Sequence, residues 1–276
     1  MNRCWVLLGL IVVLGHAANG AIEIACDYPG GNVRVIDIDE KSGVVKVAPD
    51  LRDTVGNWFH FDFTVTGADG KKLSFRFPEG GFPYISSLGP AISADGGRSW
   101  RWLNQDGRRH EPANRFDYVF DEKESSVRFA MSIPYSQKDW DDFMKAYREN
   151  PDVKFETLCK SQSGQRDVEL VRVPCRGKAR YLMVLTARHH ACETTGNPPM
   201  EGAFAELMSG SKDGNWLRDH ADCVFVPFMD KDGVEAGDQG KNRKPWDYNR
   251  DYLKGRYTSV RALKDLIVRD SVGRRI

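Results

Sequence analysis

Tyr181-Leu182-Met183-Val184-Leu185-Thr186-Ala187-Arg188-His189-His190-Ala191-Cys192-Glu193-Thr194 is the stretch on which the reading of this chain turns. It opens as an apolar run of strand length and passes without a break into a polar turn. In α/β sheets, ligands bind beyond the carboxyl ends of strands, so such a turn is a natural place for chemistry. His190 and Glu193 are spaced H-x-x-E. An imidazole and a carboxylate three residues apart on a tight turn can both reach one Zn²⁺ at about 2.0–2.2 Å. The same spacing also describes any surface turn that carries two polar residues. His189 points the other way on an extended backbone and reads as structural, and Cys192 lies inside the turn.

Toward the C-terminus, residues 223–228 read as a buried strand that closes in the turn Asp230-Lys231-Asp232-Gly233. Gly237-Asp238-Gln239-Gly240-Lys241-Asn242-Arg243-Lys244-Pro245 follows as a polar, Gly-rich loop, and Asp247-Tyr248-Asn249-Arg250-Asp251-Tyr252 ends it. Arg offers a planar fork for carboxylates and a neighbouring Asn amide adds a donor. A loop of this composition is equally a solvated turn. The last helix is expected over 259–268. Toward the N-terminus, Trp140, Phe143, Met144 and Tyr147 lie at i, i+3, i+4 and i+7, which predicts a helix over 137–150. Ser136 caps it with Asp139, and Asn150-Pro151 stops it. Strands are expected at 154–158, 168–173 and 180–187, and a helix starts near Pro199 and passes Met200, Phe204 and Leu207. Strands alternating with helices mean α/β.

Before residue 135 the period is different. Residues 57–65 alternate, Ala68-Asp69-Gly70-Lys71 is a turn, and 72–77 alternate again, which reads as a hairpin. Further short strands fit 33–38, 44–47, 100–103, 116–120 and 127–131, and no helix interrupts them. The expected organisation is an antiparallel β-sandwich over 21–134 followed by an α/β domain over 135–276. Residues 1–20 read as a secretory signal peptide: Met1-Asn2-Arg3 is positive, 4–15 are apolar, and Ala17, Ala18, Gly20 and Ala21 are small. The protein is therefore expected to be exported, periplasmic or extracellular, with no integral membrane association after cleavage. Five cysteines remain in the mature chain, an odd set with no pairing fixed by the sequence. Forty basic against 39 acidic side chains argue against nucleic acid as a partner, since such binders carry a basic excess or stripe.

The order of motifs resembles a family. A-R-x-H-x-x-E-T at 187–194, x-P-x-x-D-x-D-G-V at 226–234 and D-x-N-R at 247–250 are similar to the zinc metallocarboxypeptidases of the carboxypeptidase A superfamily. The closer likeness is to the cytosolic-carboxypeptidase-like branch, which carries a β-sandwich before its α/β/α, mixed-sheet catalytic domain. The stretches 58–63, 70–77 and 129–135 resemble its sandwich strands and its entry into the catalytic domain. The resemblance implies a Zn²⁺ cofactor held by His190 and Glu193, and a peptide or protein C-terminus as substrate. Its carboxylate would be held by Asn249 and Arg250. The family's carbonyl-polarising arginine has no clean match; Gly240 falls where it is expected, and Lys241 or Arg243 are the candidates to replace it.

One departure bears on activity. A catalytic zinc needs three protein ligands and a water. The family supplies a second histidine downstream of D-x-N-R and then a glutamate as general base. Here the histidines are His16, His60, His110, His189, His190 and His220, and the only acids after Tyr252 are Asp265 and Asp270. Residues 270–276 also lose the apolar rhythm. The expectation is a C-terminally truncated, incomplete catalytic domain that lacks the third ligand and the base. The alternatives are a noncatalytic module that binds C-terminal carboxylates, or an inactive remnant. An amidohydrolase of the aspartoacylase kind shares H-x-x-E, but the upstream sandwich and the D-G-V segment argue against it.

Overall fold

The computed structural model describes residues 20–80, 83–104, 106 and 108–276. The leader expected over 1–20 lies, Gly20 apart, outside the described residues. Among the described residues the first half holds nine strands: β1 (Glu23–Ala25), β2 (Arg34–Asp39), β3 (Val44–Ala48), β4 (Asp62–Thr66), β5 (Lys72–Arg76), β6 (Ala91–Ser93), β7 (Arg101–Trp102), β8 (Arg115–Val119) and β9 (Ser126–Ala130). They form two sheets, ordered β1-β4-β9-β6-β7 and β2-β3-β5-β8. Every pair in the first sheet is antiparallel. In the second, β3 and β5 run parallel, so the expectation of an all-antiparallel half is corrected at that pair.

The expected hairpin over 57–77 is a second correction. Its turn forms, with Lys71 N donating to Ala68 O at 2.9 Å. Yet β4 pairs with β1 and β9, while β5 pairs with β3 and β8. The physical reason is the core. Phe63 and Phe75 are both fully buried and face each other from opposite sheets, ring centroids 5.6 Å apart. Hairpin partners would lie in one sheet and point the same way; a connection that crosses between sheets lets both apolar faces meet. Period-2 alternation says which side chains turn inward, not which neighbour the backbone takes. Phe116 and Phe129 complete the cluster, at 4.7 Å from Phe75 and 5.2 Å from both Phe75 and Phe116 respectively. Each such ring contributes roughly 1.5–3 kcal/mol by leaving water.

The second half comprises α1 (Gln137–Met144), β10 (Lys154–Lys160), β11 (Asp167–Val173), β12 (Tyr181–Thr186), α2 (Asn197–Met208), α3 (Lys212–His220), β13 (Ala221–Val226), α4 (Lys231–Ala236) and α5 (Thr258–Asp270). α1 is shorter than its periodicity predicts, because the chain tightens into a 3₁₀ turn at Lys145–Tyr147. Asp139 accepts from the Ser136 backbone at 2.7 Å, as the capping pattern requires, and also from the Ser136 hydroxyl at 2.6 Å. α4 stands where only a turn is expected; Asp230 caps it by accepting from Gly233 N at 3.0 Å.

The sheet is mixed, ordered β10-β11-β13-β12, with β12 and β13 parallel and the other pairs antiparallel. Its two central strands, β11 and β13, bury both faces. Val171, Val173, Cys223 and Phe225 pack with Trp140, Met144, Phe204 and Leu207 of α1 and α2. Val168, Leu170, Val224 and Val226 pack with Val260, Leu263 and Leu266 of α5. Near-continuous apolar strands are what helices on both faces require. The tail, whose apolar rhythm fails, nevertheless returns to this sheet. Arg275 bridges Tyr181 in parallel, and Leu182 N donates to Arg275 O at 2.8 Å. Among the described residues no helix is long and apolar enough to cross a membrane.

Candidate metal centre

Because β12 and β13 are parallel, their carboxyl ends open on one edge of the sheet. The turn after β12 and the loop after β13 therefore meet. Their backbones interlock: Met229 N donates to Ala187 O and Asp230 N to Arg188 O, each at 3.0 Å. Arg188 takes φ 59°, a left-handed conformation that turns the chain sharply. Its buried guanidinium donates to Ala191 O and Tyr135 O at 2.8 Å, which locks the turn from beneath.

That turn brings His190 and Glu193 together, with Nδ1 3.1 Å from Glu193 Oε1. The His190 side chain is nearly buried and that of Glu193 is half-exposed. Asp247 closes on the ring from behind, its carboxylate oxygens 3.1 and 3.2 Å from Nε2. The same carboxylate accepts from Asn242 N and Asn249 N at 2.9 Å. Both ring nitrogens thus face carboxylates, Nε2 that of Asp247 and Nδ1 that of Glu193. This is how metal-ligating histidines are usually oriented, by a second partner on the far nitrogen. Hydrogen bonding to Glu193, and then to Asp247, raises the His190 pKa against the opposing effect of burial. His190 and Lys241 in turn hold the Glu193 carboxyl down at about 2.

Lys241 completes the cluster. Its ammonium donates to His190 Nδ1 at 3.2 Å and also bonds Glu193 Oε1. The loop can bring it there because residue 240 is glycine. Gly240 sits at φ 74°, and a Cβ on it would lie 2.4 Å from Ala191 N. No arginine fits at 240; the cation is supplied one residue later. Arg243, expected as a substrate contact, does not join His190 and Glu193. It is buried against Asp53, Asp230 and Asp238, 2.8 Å from Asp53 Oδ2, so three carboxylates already take up its fork. Burial pushes the Asp230 carboxyl upward, and Arg243 opposes that shift.

Asn249 and Arg250 lie on a 3₁₀ turn at Tyr248–Arg250, capped by Asp247, and both are exposed. One short turn thus carries the carboxylate behind His190 and the two groups expected to meet a substrate. His189 is held by Tyr252, whose hydroxyl is 2.6 Å from Nε2, and burial lowers its pKa to about 4. Cys192 is buried, and burial pushes its thiol up to about 12. His220 ends α3 at the opposite edge of the sheet, stacked on Trp216, and the His110 ring nitrogen Nε2 is 2.8 Å from Arg115 O. Among the described residues no three His, Cys, Asp or Glu side chains form a metal-holding group. The two donors present fit a cation: they converge, the far ring nitrogen is fixed, and a lysine ammonium already bonds both. A cavity of about 1420 Å³ between the two halves reaches Arg188 and Thr194 but not His190 or Glu193.

Sequence reasoning missed Asp247 and Trp58. The rule that a ligating histidine needs a second-nitrogen partner was available to find Asp247. Trp58, whose ring centroid is 5.5 Å from Lys241 Nζ, arrives from the other half of the chain and carries no local signal.

No family model matches the chain. Its sequence relatives include cytosolic carboxypeptidases. Cytosolic carboxypeptidase 2 of Xenopus tropicalis is 26% identical over 246 residues, covering 77% of this chain and 25% of that protein. Cytosolic carboxypeptidase 3 of Bos taurus is 24% identical over 275 residues, covering 88% and 27%. The chain thus spans about a quarter of the length of these relatives. Its structural neighbours are metallo-carboxypeptidases. That of Burkholderia cenocepacia superposes with a TM-score of 0.77 at 20% identity, covering 90% of this chain and 67% of its own. The shared fold is therefore carboxypeptidase-like.

Proposed function

We propose that this chain is part of a zinc-dependent metallocarboxypeptidase that removes C-terminal residues from peptides or proteins. The observation that carries the reading is the convergence of His190 Nδ1 and Glu193 Oε1 at 3.1 Å, with Asp247 on the far ring nitrogen. His190 and Glu193 would hold the metal, and Asp247 would keep the imidazole in the ligating tautomer. Zinc, when bound, supplies a Lewis acid that polarises a carbonyl and lowers the pKa of a water. Arg250 would take the substrate's terminal carboxylate through its fork, and Asn249 would add an amide donor. Both sit on the turn that Asp247 caps, so substrate anchoring and imidazole orientation are set by one piece of backbone. In this reading the third ligand and the general-base glutamate lie outside these 276 residues. The reading also keeps a sandwich domain over 21–134, a partial catalytic domain over 135–276, and export directed by 1–20, supported by the charge and apolar pattern of that segment.

A noncatalytic module that binds peptide C-termini is the second reading. It is favoured by the donor set, since no third metal-binding side chain joins His190 and Glu193 among the described residues. One experiment separates the two. The protein that contains this chain together with the third ligand and the base is incubated with a peptide, with and without Zn²⁺ and a chelator, and both hydrolysis and binding are followed. Zn²⁺-dependent release of the C-terminal residue, lost in His190→Ala and Arg250→Ala, is the outcome expected of the enzyme. Binding that survives chelation, is lost in Arg250→Ala and is accompanied by no hydrolysis would sink the catalytic reading for this chain.

A further inference from the structure

We propose that Lys241 is a tethered cation that occupies the His190–Glu193 donors until a divalent cation displaces it, and so sets how much metal the site needs before it loads. The inference rests on the metal-site reading above. Its ground is that one pair of donor atoms cannot serve two cations. Lys241 Nζ sits 3.2 Å from His190 Nδ1, the ring nitrogen that faces Glu193. The same ammonium bonds Glu193 Oε1. A metal bound at about 2.0–2.2 Å from both atoms needs the orbitals that now face the lysine. Lysine and metal are therefore alternatives at this site.

Lys241 does not arrive there by chance of a loose loop. The backbone before it is pinned where Cys192 N donates to Gln239 O at 3.3 Å, and Gly240 lies against the backbone of His190 and Ala191. The backbone after it is pinned where Asn242 N donates to Asp247 Oδ2 at 2.9 Å. Anchored on both sides, the residue can move only its four-methylene stem. The ammonium also has somewhere to go. The Trp58 ring lies 5.5 Å from Nζ, within the range at which a cation is attracted to an indole face. Displacement is then a swing of one side chain from two donors toward an aromatic wall supplied by the N-terminal half. In the metal-free chain the same lysine neutralises Glu193 and keeps both donors aimed, so the site is kept assembled but closed to weakly binding cations.

The test is a metal titration of the full chain, stripped with chelator, in which Zn²⁺ is shared with a chromophoric competitor. Lys241→Met and Lys241→Gln are expected to bind Zn²⁺ about 10- to 100-fold more tightly than the unaltered chain, the equivalent of losing two charge-assisted contacts. A second measurement needs no variant: acetic anhydride labelling of Lys241, read by mass spectrometry, should speed up several-fold when Zn²⁺ is added. Equal or weaker Zn²⁺ binding in both variants, with unchanged circular dichroism, overturns the inference while leaving the metal site standing. So does a labelling rate indifferent to Zn²⁺ in a chain that binds it. If neither the chain nor the variants bind Zn²⁺, the metal reading and this inference fall together, and the lysine is a structural ion pair.

Discussion

At the scale of single residues, the loop after β13 shows how identical charges acquire different jobs. Lys241 and Arg243 are two positions apart and equally plausible as the cation of the site. Lys241 reaches His190 and Glu193, whereas Arg243 is drawn into a buried cluster with Asp53, Asp230 and Asp238. What distinguishes them is largely non-local: Asp238 shares the loop with Arg243, but Asp53 and Asp230 lie outside it. Buried His60 shows the same dependence. Its Nδ1 has no hydrogen-bond partner and burial lowers its pKa to about 4. The folded state then prefers the neutral ring, while the unfolded chain takes a proton near its ordinary value of about 6.5. Stability from this residue is complete above that value and is lost as pH falls toward 4. Between pH 7 and 4.5 the loss should be about 2–3 kcal/mol. Urea midpoints at the two pH values should show that the fall is smaller by this amount in His60→Gln; an identical fall would remove His60 as its source.

At the scale of elements, the site is made by backbones that must pass very close. Gly240 combines a positive φ with an approach of 2.4 Å between a would-be Cβ and Ala191 N. Gly240→Ala should cost about 2–3 kcal/mol through strain and enforced movement of the loop. More tellingly, it should weaken Zn²⁺ binding, because Asp247 and Lys241 ride on the same loop as the glycine. A variant that loses stability but titrates Zn²⁺ like the unaltered chain would show that the loop does not position the donors. The crossing between β4 and β5 belongs to this scale as well. Each strand is legible from its own alternation, but the partner of each is chosen by which sheet the opposing phenylalanines already occupy.

At the scale of the whole molecule, the two halves are joined by polar contacts that bury themselves around the candidate site. Gln239 accepts from His60 N and donates to His60 O, both at 2.8 Å. Fully buried Asn32 donates to Gly237 O at 2.7 Å and to Asp50 O at 2.9 Å. Arg52 reaches Asp238 at 2.7 Å, and Thr54 bridges Arg243. Hydrogen bonds of this kind leave unsatisfied backbone groups if the halves part, at about 1–3 kcal/mol for each buried group. The chain should therefore unfold in one transition, with tryptophan fluorescence and far-ultraviolet dichroism coincident. Gln239→Ala should lower its stability by about 2–3 kcal/mol. If only one of the two probes shifts in that variant, the halves are not coupled through this contact.

The sequence by itself determined what depends on near neighbours. Trp140, Phe143, Met144 and Tyr147 announce a helix, the apolar run from Tyr181 announces a strand, and His190 with Glu193 share one turn because only two residues separate them. Such patterns are written within a few residues, where backbone geometry alone decides which side chains share a face. The tertiary structure decided the rest: the parallel pair β3–β5, the crossing from β4 to β5, the Asp247 carboxylate behind a ring 57 positions away, and the choice of Lys241 over Arg243. These are contacts between segments far apart in the chain. They are selected by burial and by the need to pair every charge that burial strands, and both are properties of the packed whole.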